Sequence, residues 1–196
     1  MSTGSAPSLT TTMSRRNIEA PSFEFGTFEE QPFTEEQEAL VMQSWWAMRL
    51  DVPKLGKRFF TLVMELAPEA KSLFSFLGDA DADGPKNSVL LRAHCVMVFR
   101  MTCDAAVQLH QTGNVTLAPG LLKHIGATHV AKGVSPPFFW VLREAMLRSV
   151  EEMMGEKWSE EMEDAWGIAF DRLTDVIKEE MRVAKMSKLK SSSLTS

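Results

Sequence analysis

The chain is predicted to be all-α, and two observations predict it. Apolar residues recur at three- and four-residue steps from about residue 34 to residue 181, and no segment sustains period-two alternation. Capping residues, prolines and glycines punctuate that pattern at helix-length intervals. With 196 residues and 44% hydrophobic content, there is enough apolar side chain for one domain with tails.

The elements follow in order. Thr34 with Gln37 forms a capping box and opens a helix carrying Leu40, Val41, Ser44, Trp45 and Met48 inward. Asp51 with Pro53 starts a second helix through Leu55, Phe59, Phe60, Leu62 and Val63. A short helical turn begins around Pro68 and leads to Leu73, Phe74 and Phe76. A Gly/Asp/Ala loop follows, closed by Gly84 and Pro85. A long helix is expected from about Ser88 to Gln111, broken by Gly113 and Asn114, and a shorter helix precedes His129. Ser135-Pro136-Pro137 caps the next helix, with Phe138, Val141, Leu142, Ala145 and Val150 inward and Gly155 at its end. Ser159 and the acids Glu160, Glu161 and Glu163 start the last helix, whose stripe is Met162, Trp166, Phe170, Leu173 and Ile177.

Both ends read differently. Residues 1–18 are rich in Ser and Thr, carry Arg15 and Arg16, and lack acids; residues 181–196 hold Arg182, Lys185, Lys188 and Lys190, again without acids. Such composition buries too little surface to offset the entropy of ordering it. The expected division is a disordered extension over 1–32, a folded domain over 33–181 and a disordered basic Ser/Lys-rich tail over 182–196. The head faintly resembles a plastid transit peptide, but plain disorder is the preferred reading.

Charge and cysteine usage exclude several classes. A net charge of −5 argues against general affinity for nucleic acid or acidic lipid, and no apolar run is long enough to span a membrane. Cys95 and Cys103 lie 103 − 95 = 8 residues apart on one helix, about 12 Å, which is too far for a disulfide. The expected compartment is reducing and intracellular, namely the cytoplasm, with the nucleus as a second location.

His94 and His129 carry the chemistry. Each sits in an apolar stretch of helical period, 129 − 94 = 35 residues apart, so a helix, a turn and a second helix can bring the imidazoles face to face. Two histidines across a phenylalanine-lined slot suit a flat cofactor with a metal at its centre. His94 and Val98 fall on one face of the long helix, and the Ile125 carbonyl, four residues before His129, can fix that imidazole's tautomer. A lone histidine on an apolar face is usually a core residue; His110, near a helix end, needs no more than the helix dipole. The Met residues read as core filling. Asp79-Ala80-Asp81-Ala82-Asp83-Gly84 matches the first half of a calcium-binding EF-hand loop, but the twelfth position is Leu90 rather than Glu. A solvated acidic loop is expected there.

Several strings are similar to globins, and more narrowly to the non-symbiotic plant haemoglobins (phytoglobins). They are Phe33-Thr34-Glu35-Glu36-Gln37-Glu38-Ala39-Leu40-Val41, Leu73-Phe74-Ser75-Phe76-Leu77, Met101-Thr102-Cys103, Gly126-Ala127-Thr128-His129, Trp158-Ser159 and Ala165-Trp166-Gly167. The resemblance spans about residues 33–181. It implies a three-over-three helical sandwich holding haem b (iron protoporphyrin IX), with His129 as proximal ligand and His94 as distal histidine, both able to bind iron. Phe74 packs on the haem face, Pro68 opens the short third helix, Phe60 and Val98 border the distal side, and Ser75 and Thr128 match hydroxyl positions beside the haem. His124 stands where the family commonly has a cation near the haem propionates, and Leu90 replaces a basic residue four before the distal histidine. The family's tyrosine on the last helix is Phe170 here, and the chain has no tyrosine.

The implied activity is nitrite reduction to nitric oxide under low oxygen, and conversion of nitric oxide to nitrate with dioxygen, both fed by an external reductant. His94 would position the ligand and move a proton. Dioxygen storage, transport or sensing without turnover is the alternative, since it uses every one of the same pocket residues. Related plant proteins often dimerise, but Glu69, Trp140 and Glu144 alter that surface, so a monomer or weak homodimer is expected.

Overall fold

The computed structural model describes residues 32–77 and 85–193, with the side chains of 75–77, 85–88 and 191–193 outside that description. Residues 1–31 of the expected 1–32 extension and the Asp79–Gly84 loop therefore lie outside the described residues. Six α-helices account for nearly all of the rest: α1 Glu35–Met48, α2 Val52–Leu66, α3 Pro85–Thr112, α4 Pro119–Ala131, α5 Pro137–Met154 and α6 Glu160–Ser193. A 3₁₀ segment, Pro68–Leu77, follows α2.

Local chemistry sets the boundaries. The Thr34 hydroxyl accepts from the Gln37 N–H at 3.2 Å, while the Gln37 side-chain oxygen accepts from the Thr34 N–H at 2.9 Å, closing the expected box. The Asp51 carboxylate accepts from the Lys54 N–H and starts α2. The Ser159 hydroxyl accepts from the Met162 N–H and starts α6. At α5 the expectation of a serine cap gives way: Pro136 occupies the cap position without a side-chain bond, and Ser135 contributes only its carbonyl, to the Phe138 N–H. Gly155 ends α5 at φ 54°, in the left-handed region that favours glycine.

The helices form two layers, α1, α3 and α4 over α2, α5 and α6, in the expected three-over-three arrangement. At the centre Phe99 stacks on Trp45 at 6.0 Å and meets Phe59 and Trp166 edge-on at 5.7 and 5.6 Å. The Trp166 indole N–H donates to the Ser44 hydroxyl at 2.9 Å, and that hydroxyl donates onward to the Leu40 carbonyl. No buried side-chain polar atom among the described residues lacks a partner. His110, near the end of α3, bonds Glu38 of α1, a partner that the dipole argument did not anticipate. Cys95 and Cys103 are buried free thiols, and burial pushes both up to about 12.

A second apolar cluster seats α4. Phe139, Leu173, Ile177 and Met181 are buried, with Leu122, Ile125 and Val130 of α4 packed against them. Gly126 permits this close approach, since a Cβ there would meet Glu180 Cγ at 2.6 Å. Met181 is the last buried residue of α6. Beyond it, where composition predicts a disordered tail, helical backbone continues to Ser193 without burying a described residue. The packed part of α6 is already a nucleus, so each added residue gains a hydrogen bond without a new nucleation cost.

Candidate functional site

A slot opens between α2, the Pro68–Leu77 segment, α3, α4 and α5, with about 740 Å³ of free space including the part open to solvent. Its walls are apolar: Val63, Ala70 and Leu73 on one side, Val134, Phe138, Val141 and Leu142 on the other. Two imidazoles interrupt them, His94 from α3 and His129 from α4.

The two histidines are held differently. His129 Nδ1 lies 2.8 Å from the Ile125 carbonyl, which can only accept, so Nδ1 carries the hydrogen and the Nε2 lone pair is left for the slot. Its ring also lies 5.7 Å from Phe139, which ties α4 to the second cluster. His94 is positioned by rings alone in the described contacts: Phe74 edge-on at 5.9 Å and Phe60 tilted at 6.2 Å, with Phe60 and Phe74 themselves edge-on at 5.3 Å. Burial, with a smaller contribution from His129, lowers the His94 pKa to about 4. At neutral pH this imidazole is uncharged, so one ring nitrogen offers a lone pair and the other a hydrogen.

This donor set fits a planar macrocyclic metal cofactor better than a bare ion. Among the described residues no group of three or more His, Cys, Asp or Glu could hold a metal ion, so two imidazoles are what the slot offers. The apolar walls suit a flat apolar ring, and Lys132, the cation among the described lining residues, suits an acidic edge.

Comparison with known proteins bears on the same residues. The family profile described as Globin matches residues 57–177, which spans both histidines. The chain belongs to the globin family. Among similar relatives, a protein of Gossypium hirsutum named as an anaerobic nitrite reductase is 49% identical over 76% of this chain and 94% of its own length. Another so named, from Arabidopsis thaliana, is 48% identical over 76% of this chain and 94% of its own length. These relatives place the globin in the plant non-symbiotic haemoglobin branch that its strings resemble. Among solved structures, a hexacoordinated haem protein from an anhydrobiotic tardigrade matches with a TM-score of 0.60 at 19% identity, covering 77% of this chain and 96% of that one. At that identity the match speaks for the fold alone.

In this globin, His94, His129, Phe74 and Thr128 line the slot together. Phe60 stands behind His94 and Phe74 rather than in the lining, and Val98 is half-buried against the core one turn beyond His94. His124 is exposed and outside the lining, so the cation at the slot is Lys132, three residues after His129. The side chain of Ser75 lies outside the described residues. Sequence reasoning missed Lys132 and Val134, which belong to the turn after α4 and carry no periodic signal. Phe138, Val141 and Leu142 were expected to point inward, but nothing in the period of α5 separates core-facing from slot-facing positions.

Proposed function

We propose that this globin holds haem b between His129 and His94 and turns over nitrogen oxides. Nitrite would be reduced to nitric oxide under low oxygen, and nitric oxide would be converted to nitrate with dioxygen, using electrons from an external reductant. One observation carries this reading: two imidazoles, on separate helices, share one apolar slot in a chain about half identical to plant proteins named anaerobic nitrite reductases.

Bound iron would supply the electron transfer. The chain's own residues do the rest. His129 presents Nε2, its direction set by the bond from Nδ1–H to the Ile125 carbonyl. His94 stays uncharged well below neutral pH, so the same ring can lend its lone pair to the metal or donate its hydrogen to a small ligand there. Phe60 and Phe74 confine that ring, and Val63, Leu73, Val141 and Leu142 exclude water from the slot. Lys132 supplies positive charge for a carboxylate of the cofactor.

The proposal extends to a monomer or weak homodimer in the cytoplasm and nucleus. Glu144 engages Arg143 and Arg148 of its own chain, and Trp140 is 59% exposed. No described helix is long and apolar enough to cross a membrane.

The test is anaerobic turnover of nitrite by the haem-loaded chain reduced with dithionite, with its visible spectrum recorded first. Sharp, split visible bands without added ligand, together with nitric oxide release, are expected. A single broad band without nitric oxide production would move the assignment to dioxygen binding, and failure to take up haem would end both readings.

A further inference from the structure

Three side chains from three helices touch in series beside the α4 wall of the slot. The imidazole of His129, on α4, lies 5.7 Å from the Phe139 ring of α5, with 31° between their planes. The ammonium of Lys178, on α6, stands over that same Phe139 ring at 5.7 Å from its centre. Phe139 is 4% exposed, and neither it nor Lys178 is among the described residues that line the slot. The series therefore meets the slot through His129.

Its construction keeps the charge of Lys178 in play. Lys178 Nζ bonds Asp175 Oδ1 at 3.1 Å, an i,i+3 pair with the acid N-terminal to the base. The pair is uneven, since the Lys178 side chain is 33% exposed and that of Asp175 63%. Water screens the carboxylate more than the ammonium, so the pair turns its positive end inward. On that inner side Phe139, Leu173, Ile177 and Met181 are all buried. An apolar cluster screens a charge far less than water does. The electron-rich face of Phe139 also attracts the ammonium and favours its place over the ring.

We propose that Lys178 raises the reduction potential of the haem by placing a positive charge one ring away from His129. The inference rests on the proposed role of His129 as the lasting haem ligand. Oxidised iron carries one more positive charge than reduced iron, so a cation beside its ligand favours the reduced state. Reduced haem is the form that gives an electron to nitrite, and the contact biases the slot towards that half of the proposed chemistry. Lys178 is a positioning residue, acting through Phe139 and His129 rather than on substrate.

The experiment is spectroelectrochemical titration of the haem-loaded full chain without added ligand. Lys178→Met removes the charge but keeps an unbranched side chain able to pack on the ring. It should shift the equilibrium about threefold towards the oxidised state, a fall of roughly 30 mV in midpoint potential for one electron. Lys178→Arg keeps the charge and should keep the potential. Asp175→Asn removes the counter-charge and should raise the potential instead. A packing role alone would not give opposite shifts from the two members of one pair. The Lys178→Met shift should persist in a His94→Leu background, because the charge acts from the α4 side, and the visible spectrum should not change. Equal potentials in parent and Lys178→Met, shifts of one sign in Lys178→Met and Asp175→Asn, or loss of the shift in His94→Leu would overturn the proposal while leaving His129 as ligand. A changed visible spectrum in Lys178→Met would do the same, by assigning the effect to coordination. Failure of the parent to take up haem would overturn it together with the reading on which it rests.

Discussion

The two walls of the slot are built on opposite plans. On the α4 side, His129 is fixed by a hydrogen bond to its own helix, and the helix is pinned by a full apolar cluster on α6. On the α3 side, His94 rests among phenylalanine rings, with its charge suppressed by burial rather than by a bonded partner. A ligand that must stay on a metal needs a set direction, whereas a ligand that must come and go needs freedom to swing. The difference between the walls fits the proposed division, with His129 as the lasting ligand and His94 as the exchangeable one.

Breaking each wall in turn gives the largest effects. His129→Ala should abolish haem retention, read as loss of the haem absorption band after gel filtration; full retention would refute the proximal assignment. His94→Leu should keep the haem and replace split visible bands by a single broad one, and an unchanged spectrum would remove His94 from the ligand set. Trp166→Ala should act on the fold instead. It deletes a fully buried ring and leaves the Ser44 hydroxyl without the indole donor, at a cost of about 3–5 kcal/mol in urea unfolding. A haem-free Trp166→Ala chain as stable as the parent would place the structural centre elsewhere.

The suppressed charge of His94 sets a pH dependence of intermediate size. In the haem-free chain the folded-state pKa, about 4, lies below the unfolded value of about 6.5. Between those values the unfolded chain binds the extra proton, so stability falls as pH falls. This contribution is complete above pH 6.5 and is lost progressively towards pH 4. From pH 7.5 to pH 5 the loss attributable to His94 is roughly 2 kcal/mol. Urea titrations at the two pH values should show that loss in the parent but not in His94→Leu. Equal pH slopes in both chains would show that His94 is already solvated.

Where the sequence was legible follows from how each region is encoded. The core of α1, α3 and α6 is written in local periodicity: Val41, Ser44, Trp45 and Met48 repeat on one helix face, as do Met162, Trp166, Phe170 and Leu173. The histidines were legible because an imidazole is conspicuous in an apolar stripe. Lys132 and Val134 were not, since a turn places side chains by backbone geometry that has no period. The exclusion of His124 from the slot is a matter of rotation: five residues before His129, it faces about 140° away on the same helix. The persistence of helix beyond Met181 was hidden for a different reason, because composition reports on burial while helix propagation depends on the packed turn before it.

The smallest effects come from the seat of α4 and sharpen the contrast between the walls. Gly120 and Gly126 lie on the same helix, yet a Cβ at Gly120 meets nothing within 4 Å, whereas at Gly126 it meets Glu180 Cγ at 2.6 Å and the Glu180 backbone carbon at 3.2 Å. Alanine favours helix over glycine at both positions by up to about 1 kcal/mol. Gly120→Ala should therefore be neutral or slightly stabilising. At Gly126 the Glu180 side chain can swing towards solvent, but the backbone carbon cannot, so crowding of about 1–3 kcal/mol opposes the helix gain and α4 lifts from α6. The net loss expected for Gly126→Ala is about 1 kcal/mol, with a faster loss of haem than in Gly120→Ala because His129 rides on the same turn. Equal haem-loss rates in the two variants would mean that the direction of His129 is set by its bond to Ile125 alone and not by the docking of α4.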